Sequence, residues 1–361
     1  MRRTPALIVG GGPAGAAAAI GLAREGLPHL LVERSRETGD ALCGGFLSWR
    51  TLDRLATLGI EADQLNRERL TEVRLFAGGR TAGARLPRPA VSVSRHRLDT
   101  LLLDRAIRDG AAIERGVAVR AIEGMQARTA DGATLVAETL FLASGKHDVR
   151  GLARPVDARG DDPTLGLRLR LPASAGLTRL VGGAIELHLF DRGYAGLCLQ
   201  EDGSGNLCLA VHRSRLAQAG DPVALLRDLA RELPTLGERF AHADPAAPID
   251  AIANVPYGWR AHTAPPGVVR LGDQAGVIPS LAGEGMGIAI AGGIAAAAAY
   301  ARGGAAAMDR WQPQFARRLA RPLGVAGAAR RIAESRLAPL ALLAARPALI
   351  EVVARLTRVG P

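Results

Sequence analysis

Cysteine is scarce in this chain of 361 residues, which has three: Cys43, Cys198 and Cys208. Their spacing matches neither a disulfide framework nor a zinc pattern, so no metal site is read from the sequence, and a reducing, cytoplasmic setting fits best. Aromatic residues make up only 3%, so the walls of any pocket must come mainly from aliphatic side chains and backbone. Lysine is nearly absent. Lys146 is the single one, and arginine carries the rest of a formal charge of +11. Those arginines are scattered and not interleaved with aromatics, which argues against nucleic-acid binding and leaves a general attraction for anionic ligands or an anionic membrane surface. No stretch reads as long and apolar enough to span a membrane. Met1-Arg2-Arg3 and the apolar run behind it imitate a secretion signal, but Gly10 to Pro13 interrupt that run and a strand follows, so it is read as folded structure.

What the chain has in quantity is glycine, and its first cluster is ordered. Ala6–Val9 is a short apolar run suited to a buried parallel strand. Gly10-Gly11-Gly12-Pro13-Ala14-Gly15 then matches G-x-G-x-x-G. Gly10 permits the tight turn, Gly12 lets backbone approach a diphosphate, and Gly15 allows close packing of helix on strand. Pro13 and Ala14 open a helix whose free amides and positive dipole end suit phosphates. Glu33 ends the next strand, where a carboxylate can accept the ribose hydroxyls, and Arg34 follows it. Strand, fingerprint, helix, strand and acid in that order read as an FAD-binding unit.

The predicted fold is α/β with an α+β substrate domain: a Rossmann-like FAD-binding domain, an inserted antiparallel sheet and C-terminal helices. Residues 1–150 and 255–300 form the discontinuous FAD-binding domain, with 44–91 an excursion toward the substrate domain. Residues 151–254, which include alternating strands and the hairpin turn Asp202–Asn206, form the substrate domain. Residues 301–361 are helical, with breaks expected at Pro313, Pro322, Pro339 and Pro347.

A second signature lies far downstream: Gly272-Asp273-Gln274-Ala275-Gly276, then Pro279, then Gly283-Glu284-Gly285-Met286-Gly287 and an alanine-rich helix. With it the chain resembles the FAD-dependent oxidoreductases of the p-hydroxybenzoate hydroxylase fold, particularly the geranylgeranyl-reductase-like branch, whose pattern is G-D-A-A-G, P and G-E-G. The resemblance implies that Gly272 and Asp273 hold the FAD near its ribityl chain. It also implies that Pro279, Gly283, Gly285, Met286 and Gly287 lie against the flavin ring. Ser94-Arg95 to Asp99 resembles the R-x-x-[FL]-D helix start, which makes Arg95 a cofactor contact. Cys43-Gly44-Gly45 resembles the C-G-G loop of the reductase branch, and Tyr194 matches the first residue of its Y-x-W-x-F-P segment. Cys43 and Tyr194 are thus the candidate catalytic residues near flavin or substrate.

Two departures matter. The family's Asp-Gly at a strand end is here Ser144-Gly145, which puts direct use of NADPH or NADH in doubt and leaves two electron donors open, the reduced nicotinamide cofactor or a separate flavin reductase. The tryptophan and the Phe-Pro that follow Tyr194 in the reductases are missing. Lys146-His147 reads as a surface loop pair, with a positive charge beside the flavin as the other reading. The leading expectation is a flavin monooxygenase hydroxylating a small aromatic, polyketide or lipid-like substrate through a C4a-hydroperoxyflavin. The alternatives are a flavin-dependent alkene reductase, a halogenase-like enzyme and a non-catalytic FAD-binding redox protein. The apolar helices around Leu337–Val353 leave open a peripheral contact with the inner membrane face.

Overall fold

In the computed structural model, which describes residues 1–360, two sheets share the chain. The first has the order Ala112–Arg115, His29–Glu33, Arg2–Val9, Thr134–Leu142, Gln126–Thr129 and Val119–Glu123, with Val268–Arg270 alongside Thr134–Leu142. Val9 lies opposite both Val32 and Leu142 in parallel pairing. Ala6, Leu7 and Ile8 are fully buried, because helices and an antiparallel extension cover both faces of the parallel strands, which is why these runs are continuously apolar. The strands Arg2–Val9, His29–Glu33, Thr134–Leu142 and Val268–Arg270 all end on one edge, where open α/β sheets bind ligands.

Helix Pro13–Arg24 crosses one face of this sheet, and the first arm of Gly285–Ala333 packs on it. Small residues make that approach possible. A Cβ added to Gly21 would lie 2.6 Å from the Cβ of Ala297, and one added to Gly293 would lie 2.9 Å from that of Ala17. An 18-residue window of Gly285–Ala333 does reach a mean hydropathy of 1.2, the level of a membrane span, contrary to the sequence reading; yet 61% of it is buried inside the protein. Its apolarity serves this core.

The long helix also corrects the expected breaks. It turns at Gly304, whose φ of 56° and ψ of −152° leave helical geometry, while Pro313 and Pro322 lie within the second arm. Burial of Trp311, Phe315, Leu319 and Leu323 outweighs the hydrogen bond each proline removes. Pro339 and Pro347 do stand in the first turns of Ala338–Ala344 and Pro347–Leu356, where no amide hydrogen is needed.

The second sheet runs Asp250–Val255, Thr164–Leu171, Gly205–His212, Gly193–Leu199, Ala184–Phe190, Leu70–Ala77, Arg80–Ser92 and Phe46–Leu47. The pairing of Ala184–Phe190 with Leu70–Ala77 is parallel and the others are antiparallel. Helices Pro222–Glu232 and Pro234–Phe240 cover one face through Leu225, Leu229 and Leu236. Arg168, almost fully buried, ties this sheet to the loop after Glu33 by pairing with Asp40 at 2.9 Å and Asp250 at 2.6 Å. Asp40 in turn accepts a hydrogen bond from the Arg95 amide, 2.8 Å.

Candidate functional site

The glycine fingerprint forms a cradle at the strand ends. Gly10 has φ 108°, and a Cβ there would lie 2.5 Å from the Ala143 carbonyl oxygen. A Cβ on Gly15 would overlap the Gly10 oxygen. Gly12 caps helix Pro13–Arg24, and a Cβ on it would sit 3.3 Å from an Arg95 Nη. Beyond Pro13, the first-turn amides of Ala14 and Gly15 have no carbonyl within the helix to bond, so the cradle presents donors and positive dipole to an anion. Glu33 accepts from the amides of Gly11 (2.7 Å) and Ser35 (2.8 Å), which fixes its carboxylate at the rim.

Arg95 reaches over this cradle because its helix, Arg95–Arg108, is capped by Ser94, whose Oγ accepts from the Arg97 amide at 3.1 Å. Its guanidinium makes paired bonds of 2.9 and 2.6 Å to Asp99. Burial opposes the Arg95 charge, but the carboxylates of Asp99 and, further off, Asp273 outweigh it and hold its pKa above the ordinary range.

The turn after Thr134–Leu142 brings in the residue the sequence misplaced. Lys146 is not on an outer surface: its Nζ lies 3.4 Å from Asp273 Oδ2, with 28% of the side chain exposed. The Asp273 carboxylate raises its pKa, against burial, and Cys43 and Tyr257 act on the same charge. Three side chains fasten this turn. Ser144 Oγ donates to the His147 carbonyl, 2.7 Å. Arg154 donates to the carbonyls of Lys146 (2.6 Å) and Asp273 (3.0 Å). Gln274 Nε2 donates to those of Gly145 (2.9 Å) and His147 (3.1 Å). The signal for this lock was present: Gln274 stands where the family pattern has alanine. His147 is exposed and meets Arg34, Nε2 to Nη2 2.9 Å. Burial, then the charges of Arg34, Lys146 and Arg154, hold that imidazole below its usual pKa.

The two candidate catalytic residues stand in different settings. The Cys43-Gly44-Gly45 loop is pinned by backbone contacts: Asn206 Nδ2 donates to the Cys43 carbonyl (2.9 Å), the Cys208 thiol to the same oxygen (3.3 Å) and the Cys198 thiol to Gly44 (3.3 Å). Burial pushes the Cys198 thiol up to about 12 and raises that of Cys208 further, so both stay protonated. Tyr194 is buried, and its hydroxyl meets Ser280 Oγ at 2.6 Å and accepts from the Leu281 amide at 3.1 Å. Tyr257 donates to the same Ser280 Oγ at 2.8 Å. Two of the three tyrosines thus meet one serine immediately after Pro279, a convergence that sequence separation concealed. Burial raises the pKa of both phenols.

The segment Pro279–Gly287 is held from behind. Gly283 has φ 61°, and a Cβ there would lie 2.6 Å from Phe46. Glu284 is fully buried and pairs with Arg358 at 2.7 Å. Met286 and Gly287 are buried at the helix start, while Gly285 is half-buried with open space beside it. Gly272, φ 57°, brings the turn within 3.2 Å of the Ala14 Cβ, again measured from an added Cβ. The two signatures therefore abut at Ala14 and Gly272, with Lys146 and Arg95 beside them.

These features fit FAD: positions that a side chain would fill, free helix amides, a rim carboxylate and cations near Asp273. Residues 3–150 match the FAD binding domain family. Protein FixC of Salmonella typhi is 28% identical over 339 residues, covering 81% of this chain and 75% of FixC. A geranylgeranyl bacteriochlorophyll reductase-like protein from Thermoplasma acidophilum superposes with a TM-score of 0.76 at 19% identity, over 100% of this chain and 94% of its own. PqsL of Pseudomonas aeruginosa, described as a probable FAD-dependent monooxygenase, gives 0.73 at 18% identity, over 95% of this chain and 100% of its own. The family match covers the cradle and the fold is shared over the whole chain, so residues 3–150 form an FAD-binding domain within the fold that these flavoproteins have.

Proposed function

We propose that the protein is a flavin monooxygenase that hydroxylates a small aromatic, polyketide or lipid-like substrate. The observation that carries this reading is the hydroxyl cluster of Tyr194, Ser280 and Tyr257 directly after Pro279. Bound FAD supplies the redox chemistry. The chain's own residues do the rest. Gly10 to Gly15, Glu33, Arg34 and Arg95 hold the ADP half, and Asp273 takes the ribityl chain. Lys146 keeps positive charge in the site, where reduced flavin is anionic. Tyr194, kept protonated by burial, donates to a polar oxygen of the substrate and orients it, while Tyr257 holds Ser280 in place. The second sheet and the Pro279–Gly287 segment exclude water. PqsL, which shares the fold, has been solved with 2-aminobenzoylacetate, a small aromatic ligand. Ser144 in place of an acid favours electrons delivered by a separate flavin reductase over direct NADPH or NADH binding.

The pinned Cys43-Gly44-Gly45 loop favours a second reading, reduction of an alkene. The two differ in their need for oxygen. Holoenzyme is reduced chemically without oxygen, then mixed with oxygen or with isoprenoid alkenes. The monooxygenase reading predicts no reaction with alkenes and a lag between oxygen consumption and peroxide release. Anaerobic reoxidation by an alkene, with immediate peroxide release in air, would overturn it.

A further inference from the structure

Among the described residues, large apolar side chains stand exposed mainly in one place. Ile332, Leu337, Leu340, Leu343, Leu349 and Val352 are 48–69% exposed, and all fall within 21 residues of chain. Isolated exposed leucines are ordinary on a protein surface, but a cluster of this size marks a contact surface. The inner faces of the same helices are already taken. Ala338 and Leu342 pack with Val73, Leu187, Leu189 and Tyr194 in one apolar cluster, and Ile350 packs against its edge. Leu337, Leu340 and Leu343 recur every third residue on the opposite side, as do Leu349 and Val352.

The rim of the patch is cationic. Arg331, Arg336, Arg346 and Arg355 are exposed, and Glu351, paired with Arg355 at 2.6 Å, is the single acid between Ser335 and Gly360. Helices Ala338–Ala344 and Pro347–Leu356, of 7 and 10 residues, are too short to span a bilayer. Their apolar faces with arginine edges are the pattern of helices that lie in the headgroup plane.

We propose that these two helices seat the protein on an anionic phospholipid bilayer, with the leucines immersed and the arginines among the headgroups. Charge decides between this and a second copy of the chain. A twofold contact through the patch would set the arginine rim against itself, whereas anionic headgroups neutralise it. Because the inner faces share a cluster with Tyr194, the docked surface backs the substrate side of the site. The proposal does not depend on which reaction the flavin performs.

The test is flotation of the holoprotein with vesicles of phosphatidylcholine alone or mixed with phosphatidylglycerol. The protein is expected to float with the mixed vesicles and less so at high salt. Combined Leu340→Ser, Leu343→Ser and Leu349→Ser should lower partitioning by about tenfold per leucine. Arg336→Gln with Arg346→Gln should lower it by about fivefold per arginine on the mixed vesicles. All five positions are exposed, and bound-flavin absorbance verifies that each variant is folded. Wild-type protein that stays out of both vesicle fractions overturns the proposal. So does a leucine variant that floats like wild type. A wild-type dimer that the leucine variant converts to monomer, with flotation unchanged, assigns the patch to a contact between copies instead.

Discussion

Replacing Glu284 by Gln severs the C-terminal segment from the loop that follows Pro279. The Glu284 carboxylate accepts from Ser48 Oγ (3.0 Å), Arg358 Nη1 (2.7 Å) and the Val359 amide (3.3 Å). Arg358 also donates to the Gly283 carbonyl at 3.2 Å and lies over the rings of Trp49 and Phe46 at 5.3 and 5.7 Å. Its side chain is 4% exposed, so without the carboxylate its charge is left buried and unbalanced. Breaking one side of such a pair costs about 3–5 kcal/mol. For a chain of 361 residues that lowers Tm by about 4–7 °C. Gly283 and Gly285, on either side, belong to the segment that the proposed function sets against the flavin, so on that reading FAD affinity should fall in parallel. Differential scanning fluorimetry of apoprotein, followed by FAD titration, measures both. Adding Arg358→Met to Glu284→Gln should recover most of the lost Tm, because no unbalanced charge then remains. A single variant within about 2 °C of wild type, or a double variant no more stable than the single, would show that the Glu284–Arg358 pair does not hold the C-terminal segment.

Gly10→Ala forces a side chain into φ 108° and against the Ala143 oxygen; the backbone alone costs about 1–2 kcal/mol, and the purified protein should lack flavin absorbance. Lys146→Met removes the charge beside Asp273 and should weaken FAD binding about tenfold, or about 1.4 kcal/mol, read by fluorescence quenching. Tyr194→Phe leaves the Leu281 amide without its partner and should cost about 1–3 kcal/mol of stability in urea, with a further loss of turnover if the hydroxyl orients substrate. His212 lies 3.0 Å from Glu334 and 3.2 Å from Asp162, and the hydrogen bond to Glu334 raises its pKa despite burial. A raised value means that this stabilisation is complete below the ordinary imidazole range and fades as pH rises through the raised value. The Tm gap between wild type and His212→Gln should therefore shrink from about pH 5.5 to about pH 8.5.

The parts legible in the sequence were those whose physics is local. Gly10, Gly12, Gly15 and Glu33 sit within one strand–helix–strand unit, so their spacing carries their geometry. The hairpin around Asp202–Asn206 was legible for the same reason. Lys146 was misread because its position depends on Arg154 and Gln274, which reach the turn from elsewhere in the chain. The meeting of Tyr194 and Tyr257 on Ser280 depends on bringing the second sheet against the Pro279 segment, which no local pattern encodes. Pro313 and Pro322 looked like helix breakers, but packing around Phe315 and Leu319 overrides them, and Gly304, one glycine among many, makes the turn.

On the proposed reading the glycine cradle and the Asp273 segment together hold FAD, with the ADP half anchored at Gly10 to Gly15 and Glu33. Titration of apoprotein with FAD and with FMN tests it directly, because FMN lacks the half of the molecule that the cradle is built for. One FAD per chain is expected, with FMN binding weaker by at least about a hundredfold, or about 2.7 kcal/mol. Equal affinity for the two flavins, or no binding of FAD, would contradict it.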